Sequence, residues 1–190
     1  MGSIKPPKPA LLVMPMFSQG VEALEWGFAQ AVEAFGPAAL SSDDFDFDET
    51  AYYQKTMGKG LKLRILAFEH LIRPDQIIPI KHLTNNWEEA YQIRSGASKR
   101  SLNLDPGYMD ESKFVLATTK DNCHRLYLGE GVYAEITLNY EHREWQAHPW
   151  TYPNYRRDDY HQFFTKCRNY FREQLADIRP SRKDISKSSH

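Results

Sequence analysis

Asp105, Lys120, His124, Arg125 and Glu135 bring carboxylate, imidazole and cationic chemistry into one short stretch of this sequence. A carboxylate paired with an imidazole can move protons. Lysine and arginine beside them can hold an anion. Asp105, His124 and Glu135 are therefore the candidate catalytic residues, His124 as general base and either carboxylate as acid or base. Lys120, Arg125 and Arg156 are candidate anion binders, and Tyr127, Tyr133 and Trp150 are candidate ligand-binding walls. No metal site is assigned, and no cofactor is identified. Whether these residues converge depends on the elements that carry them.

A hairpin is the clearest of those elements. Residues 123–128 and 132–140 alternate around Gly129-Glu130-Gly131. A three-residue loop with Gly131 left-handed pairs Leu128 with Val132, Leu126 with Ala134, and His124 with Ile136. On the opposite face it pairs Tyr127 with Tyr133, Arg125 with Glu135, and Cys123 with Thr137. A two-residue loop would set Leu126 against Glu135, a poorer match to the pattern. The expected result is an Arg125–Glu135 cross-strand pair flanked by tyrosines, with His124 on the apolar face. The plain alternatives are an ordinary exposed ion pair and a satisfied core histidine.

Upstream, residues 10–14 form an unbroken apolar run, the mark of a strand covered on both faces and ended by Pro15. A helix is predicted from Gly20 to Phe35, with Ser18 as its cap and Gly36-Pro37 as its stop. Residues 38–47 read as an extended edge and 61–69 as the next strand. A helix follows Pro79, with Ile80, Leu83, Trp87, Ala90 and Tyr91 inward. Residues 99–104 form a short strand closed by the turn Asp105-Pro106-Gly107. Residues 110–119 are predicted helical. A loop rich in proline and aromatics runs from 142 to 157. The last helix starts near Asp158 or Asp159, with a stripe of Tyr160, Phe163, Phe164, Cys167, Tyr170, Phe171 and Leu175. The expected fold is α+β: a ferredoxin-like βαββαβ core extended by an α-β-β-α part. One domain is expected over residues 8–178, with disordered ends at 1–7 and 179–190.

Several motifs fail on spacing. Asp44, Asp46 and Asp48 alternate with phenylalanines, but an EF-hand loop from Asp44 would need glycine where Glu49 stands and glutamate where Lys55 stands. A solvated strand edge fits better. Met57-Gly58-Lys59-Gly60 lacks the P-loop spacing, and no G-x-G-x-x-G, G-x-S-x-G or H-E-x-x-H occurs. Trp145, Trp150, Tyr152 and Tyr155 either cover a secondary core or wall a pocket.

With 24 basic and 25 acidic residues the net charge is −1, so the basic excess that drives nucleic-acid binding is missing. Hydrophobic content of 41% suits an ordinary globular domain without metal or disulfide staples. Cys123 and Cys167 read as free thiols. Residues 1–9 lack an apolar signal core, and no run reaches the ~20 apolar residues of a membrane span. A cytoplasmic protein without membrane contact is expected.

The motifs also carry a resemblance. Met57-Gly58-Lys59-Gly60-Leu61, Asn103-Leu104-Asp105-Pro106-Gly107-Tyr108, Leu116-Ala117-Thr118-Thr119-Lys120-Asp121, His124-Arg125-Leu126-Tyr127-Leu128-Gly129, Val132-Tyr133-Ala134-Glu135 and Pro149-Trp150-Thr151-Tyr152-Pro153 resemble the uncharacterised prokaryotic family catalogued as domain of unknown function 4416. The resemblance covers most of the chain and implies a stand-alone domain, with no activity or site residue to carry over. Some members resembling this chain carry a GTP-binding label. Here Thr119-Lys120-Asp121 is one residue shorter than the guanine-reading N-K-x-D pattern.

Two functional readings follow. The first is a protein that binds, or acts on, a small anionic ligand such as a nucleotide or phosphorylated metabolite. The second is a non-catalytic interaction or regulatory module that uses the aromatic loop of residues 145–155, as a monomer or homodimer.

Overall fold

The computed structural model describes residues 2–47 and 56–178. Asp48, Glu49, Lys55 and the expected disordered tail at 179–190 lie outside the described residues. Over the described residues the fold is α+β, a ten-stranded antiparallel sheet with helices on both faces.

Strand β1 (Ala10–Ser18) is buried at every position. It runs on through Pro15, where the apolar run predicted an end. Met14 and Met16 pair with β4 (Leu61–Ile72) on either side of that proline. On its other side β1 changes partner there. Leu11 to Val13 pair with β6 (Gly107–Met109), whereas Met16 and Phe17 pair with β5 (Asn103–Leu104). Pro15 still accepts a hydrogen bond, from Asp105 N at 2.9 Å. The N–H and C=O of a strand residue point to the same side. The donor that proline lacks would thus face the Asp105-Pro106 junction, where the neighbouring chain turns.

The seven-strand path runs β10-β9-β7-β6-β1-β4-β2. Strand β2 is Ala38–Ser41, β7 is Lys113–Thr118, β9 is Val132–Glu141 and β10 is Glu144–Ala147. The short strand β3 (Phe45–Phe47) pairs with β4, and β8 (Leu126–Gly129) pairs with β9. Helices α1 (Val21–Phe35) and α2 (Ile77–Ser95) pack on one face, over Leu12, Met14, Met16 and Phe68. Helix α3 (Asp158–Ile178) packs on the other, over Leu11, Val13, Phe17 and Phe114. Its buried stripe follows the predicted 3.6-residue period, except that Tyr170 is only partly buried at the edge of the core.

One part of the predicted fold is wrong. Residues 110–119 are not a helix. Asp110 caps a tight turn, and Lys113–Thr118 is the interior strand β7. Phe114 faces the α3 side and Ala117 the α1 and α2 side. Burial on both faces erases the period-two signal, leaving a short apolar run that fits either element. The C-terminal part is therefore a run of strands closed by one helix, not α-β-β-α. The 142–157 loop likewise contains β10.

No helix among the described residues is long and apolar enough to cross a membrane.

Candidate functional site

The fork at Pro15 opens a cleft of about 310 Å³ between α2, the Asn103–Asp105 segment, the end of β7 and the base of the β8–β9 hairpin. Its cationic lining comes from Lys81, Arg100, Lys120 and Arg125. Its carboxylates are Glu88, Glu89, Asp105 and Glu135.

Helix α2 supplies one wall. Lys81, Asn85, Glu88 and Gln92 recur at helical spacing and form a polar stripe toward the sheet. Lys81 is buried; its Nζ donates to Leu104 O at 3.0 Å and lies 3.6 Å from Asp105. Glu88 is buried too and accepts from Leu104 N at 2.6 Å and from Arg100 Nη2. Burial pushes the Glu88 carboxyl above its ordinary pKa, and Lys81, Arg100 and the Leu104 N–H recover only part of that cost. These contacts hold β5 and Asp105 against the helix.

The hairpin supplies the opposite wall. Glu135 is 2% exposed and pairs with Leu116 of β7. Its Oε2 accepts from Arg125 Nε at 2.9 Å and from His124 Nε2 at 3.0 Å. A carboxylate can only accept, so His124 carries a proton on Nε2. Its Nδ1 then faces Cys123 Sγ at 3.9 Å. Arg125 Nη1 donates to Lys120 O at 2.8 Å, which ties the hairpin to the loop after β7. Burial opposes the Arg125 charge, but its hydrogen bonds to Glu135 and Tyr152 outweigh that and raise its pKa. Tyr152 closes the rim.

Two residues that line this cleft each hold a buried polar atom with no hydrogen-bond partner among the described residues: Glu135 Oε1 and Asn103 Nδ2. Asn103 is 1% exposed. Among the described residues no group of three or more His, Cys, Asp or Glu side chains is arranged to hold a metal ion.

The family model described as a domain of unknown function, DUF4416, matches residues 8–171. The chain belongs to this family. No curated protein and no solved structure matches it. Every part of the cleft described above falls within the matched span of this DUF4416 member.

Of the residues singled out in the sequence, Asp105, Lys120, Arg125 and Glu135 line this one cleft. His124 stands behind Glu135 rather than in the cleft, and its ring stacks on Trp150 at 5.3 Å. Trp150 also stacks on His148, at 4.7 Å. Arg156 is engaged elsewhere, donating to the carbonyls of His148, Pro149 and Thr151 and so bracing the loop. Tyr127 and Tyr133 pack edge to face on the hairpin, outside the cleft lining.

The hairpin pairs Leu126 with Ala134 and Tyr127 with Tyr133, in the expected register. Its turn differs. Glu130 and Gly131 both have positive φ, so the loop is the two-residue type, and Gly129 rather than Leu128 pairs with Val132. A register shift between Tyr127 and Gly129 absorbs the extra residue. The faces also differ from expectation. Leu126 is 70% exposed, whereas Glu135 is buried. Among the described residues β8 pairs only with β9, so its apolar side chains find little cover.

Sequence reasoning missed Lys81, Glu88, Arg100 and Asn103. A signal was present: Lys81, Asn85, Glu88 and Gln92 follow the helical period as strictly as the apolar positions of α2. The predicted inner face included Ala90, which is exposed.

Proposed function

We propose that this protein binds a small anionic molecule, a nucleotide or phosphorylated metabolite, in the cleft between α2 and the β8–β9 hairpin. The supporting observation is the convergence of four cations from three separate segments, α2, the residues before β5 and the β7–β8 connection, on one polar cleft. Its volume lies at the small end of the range for ligand sites. Lys120 and Arg125 hold the anion, and Asp105 and Glu135 are placed for acid–base work on it. His124 is a positioning residue, acting through Glu135. We also read β1 through β6 as a ferredoxin-like core, which the order β6-β1-β4-β2 supports, with α1 and α2 on one face. Thermal-shift measurements with nucleotides, sugar phosphates and inorganic phosphate test the binding. A rise in Tm that Arg125→Ala abolishes is expected; no shift with any anion overturns the reading.

A second reading has its own support. Leu126, Tyr127, Leu128, Ile136, Trp150 and Tyr152 are all exposed apolar residues of the hairpin and the adjoining loop. They would suit a protein partner or a second copy. The loop itself offers less than its composition suggests, because Trp145 and Tyr155 are buried in the α3 core. Sedimentation velocity at rising concentration tests self-association.

A further inference from the structure

The lining of the cleft is balanced rather than basic. Its four cations face four carboxylates. A ligand bearing only negative charge meets as many like charges as opposite ones, while a ligand bearing both signs can match each. The position of the unsatisfied atoms sharpens the point. Glu135 Oε2 already takes two donors, from Arg125 and His124, but Oε1 takes none among the described residues. A buried carboxylate oxygen left without a donor bears its full desolvation cost. Asn103 Nδ2 is the converse, a buried donor without an acceptor among the described residues. Glu135 lies on the hairpin wall and Asn103 on the fork wall of the same cleft.

We propose that the ligand is a small zwitterion of the amino-acid type, its ammonium donating to Glu135 Oε1 and its carboxylate or phosphate accepting from Asn103 Nδ2. This rests on the reading of the cleft as a small-anion site and names the anion's class. Such a molecule supplies both missing partners at once. Its ammonium meets a carboxylate oxygen with free acceptor capacity, and its anionic group meets an amide that shares the cleft lining with Lys81, Lys120 and Arg100. The modest cavity volume suits a molecule of this size better than a dinucleotide.

Titration calorimetry with matched probes isolates the ammonium. Aspartate is compared with succinate, glutamate with glutarate, and O-phosphoserine with 3-phosphopropionate; AMP and GMP represent nucleotides. The amine-bearing member of at least one pair is expected to bind about tenfold tighter or better than its deaminated match, the scale of one hydrogen bond to a charged group. In Glu135→Gln that preference should vanish while weak binding of both members remains. In Asn103→Leu both members of the pair should weaken together. The wild-type comparison needs no variant, so it decides even if a buried substitution unfolds the chain. Equal affinity within every pair, or tighter binding of AMP or GMP than of any zwitterion, overturns the zwitterion assignment while leaving the anion site standing. No heat with any probe overturns the anion site itself, and this inference with it.

Discussion

Arg125 Nε lies 2.9 Å from Glu135 Oε2, with both side chains almost entirely removed from solvent. The pair joins the residue just before β8 to the interior strand β9 at the edge of the cleft. An exposed pair of this kind is worth about 1 kcal/mol at most. Here, removing one partner strands a buried charge. Arg125→Leu alone should lower unfolding free energy by about 3 to 5 kcal/mol, and Arg125→Leu with Glu135→Leu should cost clearly less. A double-mutant cycle by urea denaturation measures the difference. Additive single losses would show that the pair behaves as if exposed.

Glu88 makes a pH-dependent contribution of predictable sign. Its folded-state pKa is raised above the ordinary 4.5, chiefly by burial. The folded chain thus holds this proton at pH values where the unfolded chain has released it. Stability from this group is present in full below the unfolded pKa and is lost as pH rises through the folded one. Wild type and Glu88→Gln should therefore differ most in acid, with the wild-type advantage shrinking as pH rises from below to well above the ordinary carboxylate value of 4.5. Urea midpoints across that range check it. A constant difference, or one that grows with pH, contradicts the assignment.

The Arg125–Glu135 pair could be read from sequence because hairpin pairing is local: one turn fixes which residues face each other. Even the misjudged loop type left Leu126 opposite Ala134, since the register shift at Gly129 restored the register. The convergence of Asp105 with Lys120 depended on the order of strands, which two prolines signal. Pro15 and Pro106 stand at the same fork, each where a ladder donor is not needed. The α2 stripe was overlooked because Lys81 and Glu88 have the composition of a solvated face. Their burial is compensated by the β5 backbone, whose Leu104 N–H and C=O they bond, together with Asp105 beside Lys81 and Arg100 beside Glu88. β7 was misread for the opposite reason. It is apolar on both faces and carries no periodicity to read.

The two thiols should differ sharply in reactivity. Cys123 is exposed, with His124 Nδ1 at 3.9 Å from its sulfur. Cys167 is buried on the inner face of α3, and burial drives its thiol pKa far above the usual value. Titration of the native protein with a chromogenic disulfide should release about one equivalent quickly and the second only on unfolding. Cys123→Ser should remove the fast phase. Two fast equivalents in the native state would mean that the α3 interface opens readily.

Gly107 is where the shape of the cleft is most exposed to a single methyl group. A Cβ there would stand 2.4 Å from Val115 O and 2.9 Å from the Phe114 ring. Val115 O is backbone within the interior strand β7, so it cannot swing aside, and Phe114 is fully buried beneath α3. Strand β6 must therefore move away from β7. The next residue back, Pro106, accepts from Ala117 N at 3.0 Å, and Asp105 before it donates to Pro15 O. A shift at Gly107 thus carries directly into the fork and displaces Asp105 from Lys81. Gly107→Ala should cost about 1 to 3 kcal/mol or more, as overpacking of a dense core does. It should also weaken anion binding in the cleft. Gly20→Ala is the control, since a Cβ there meets nothing within 4 Å among the described residues and its backbone is already extended. Thermal unfolding of both variants, with phosphate titrated into each, separates the effects. Loss of stability with undiminished binding would show that the fork holds its geometry independently of the β6–β7 contact.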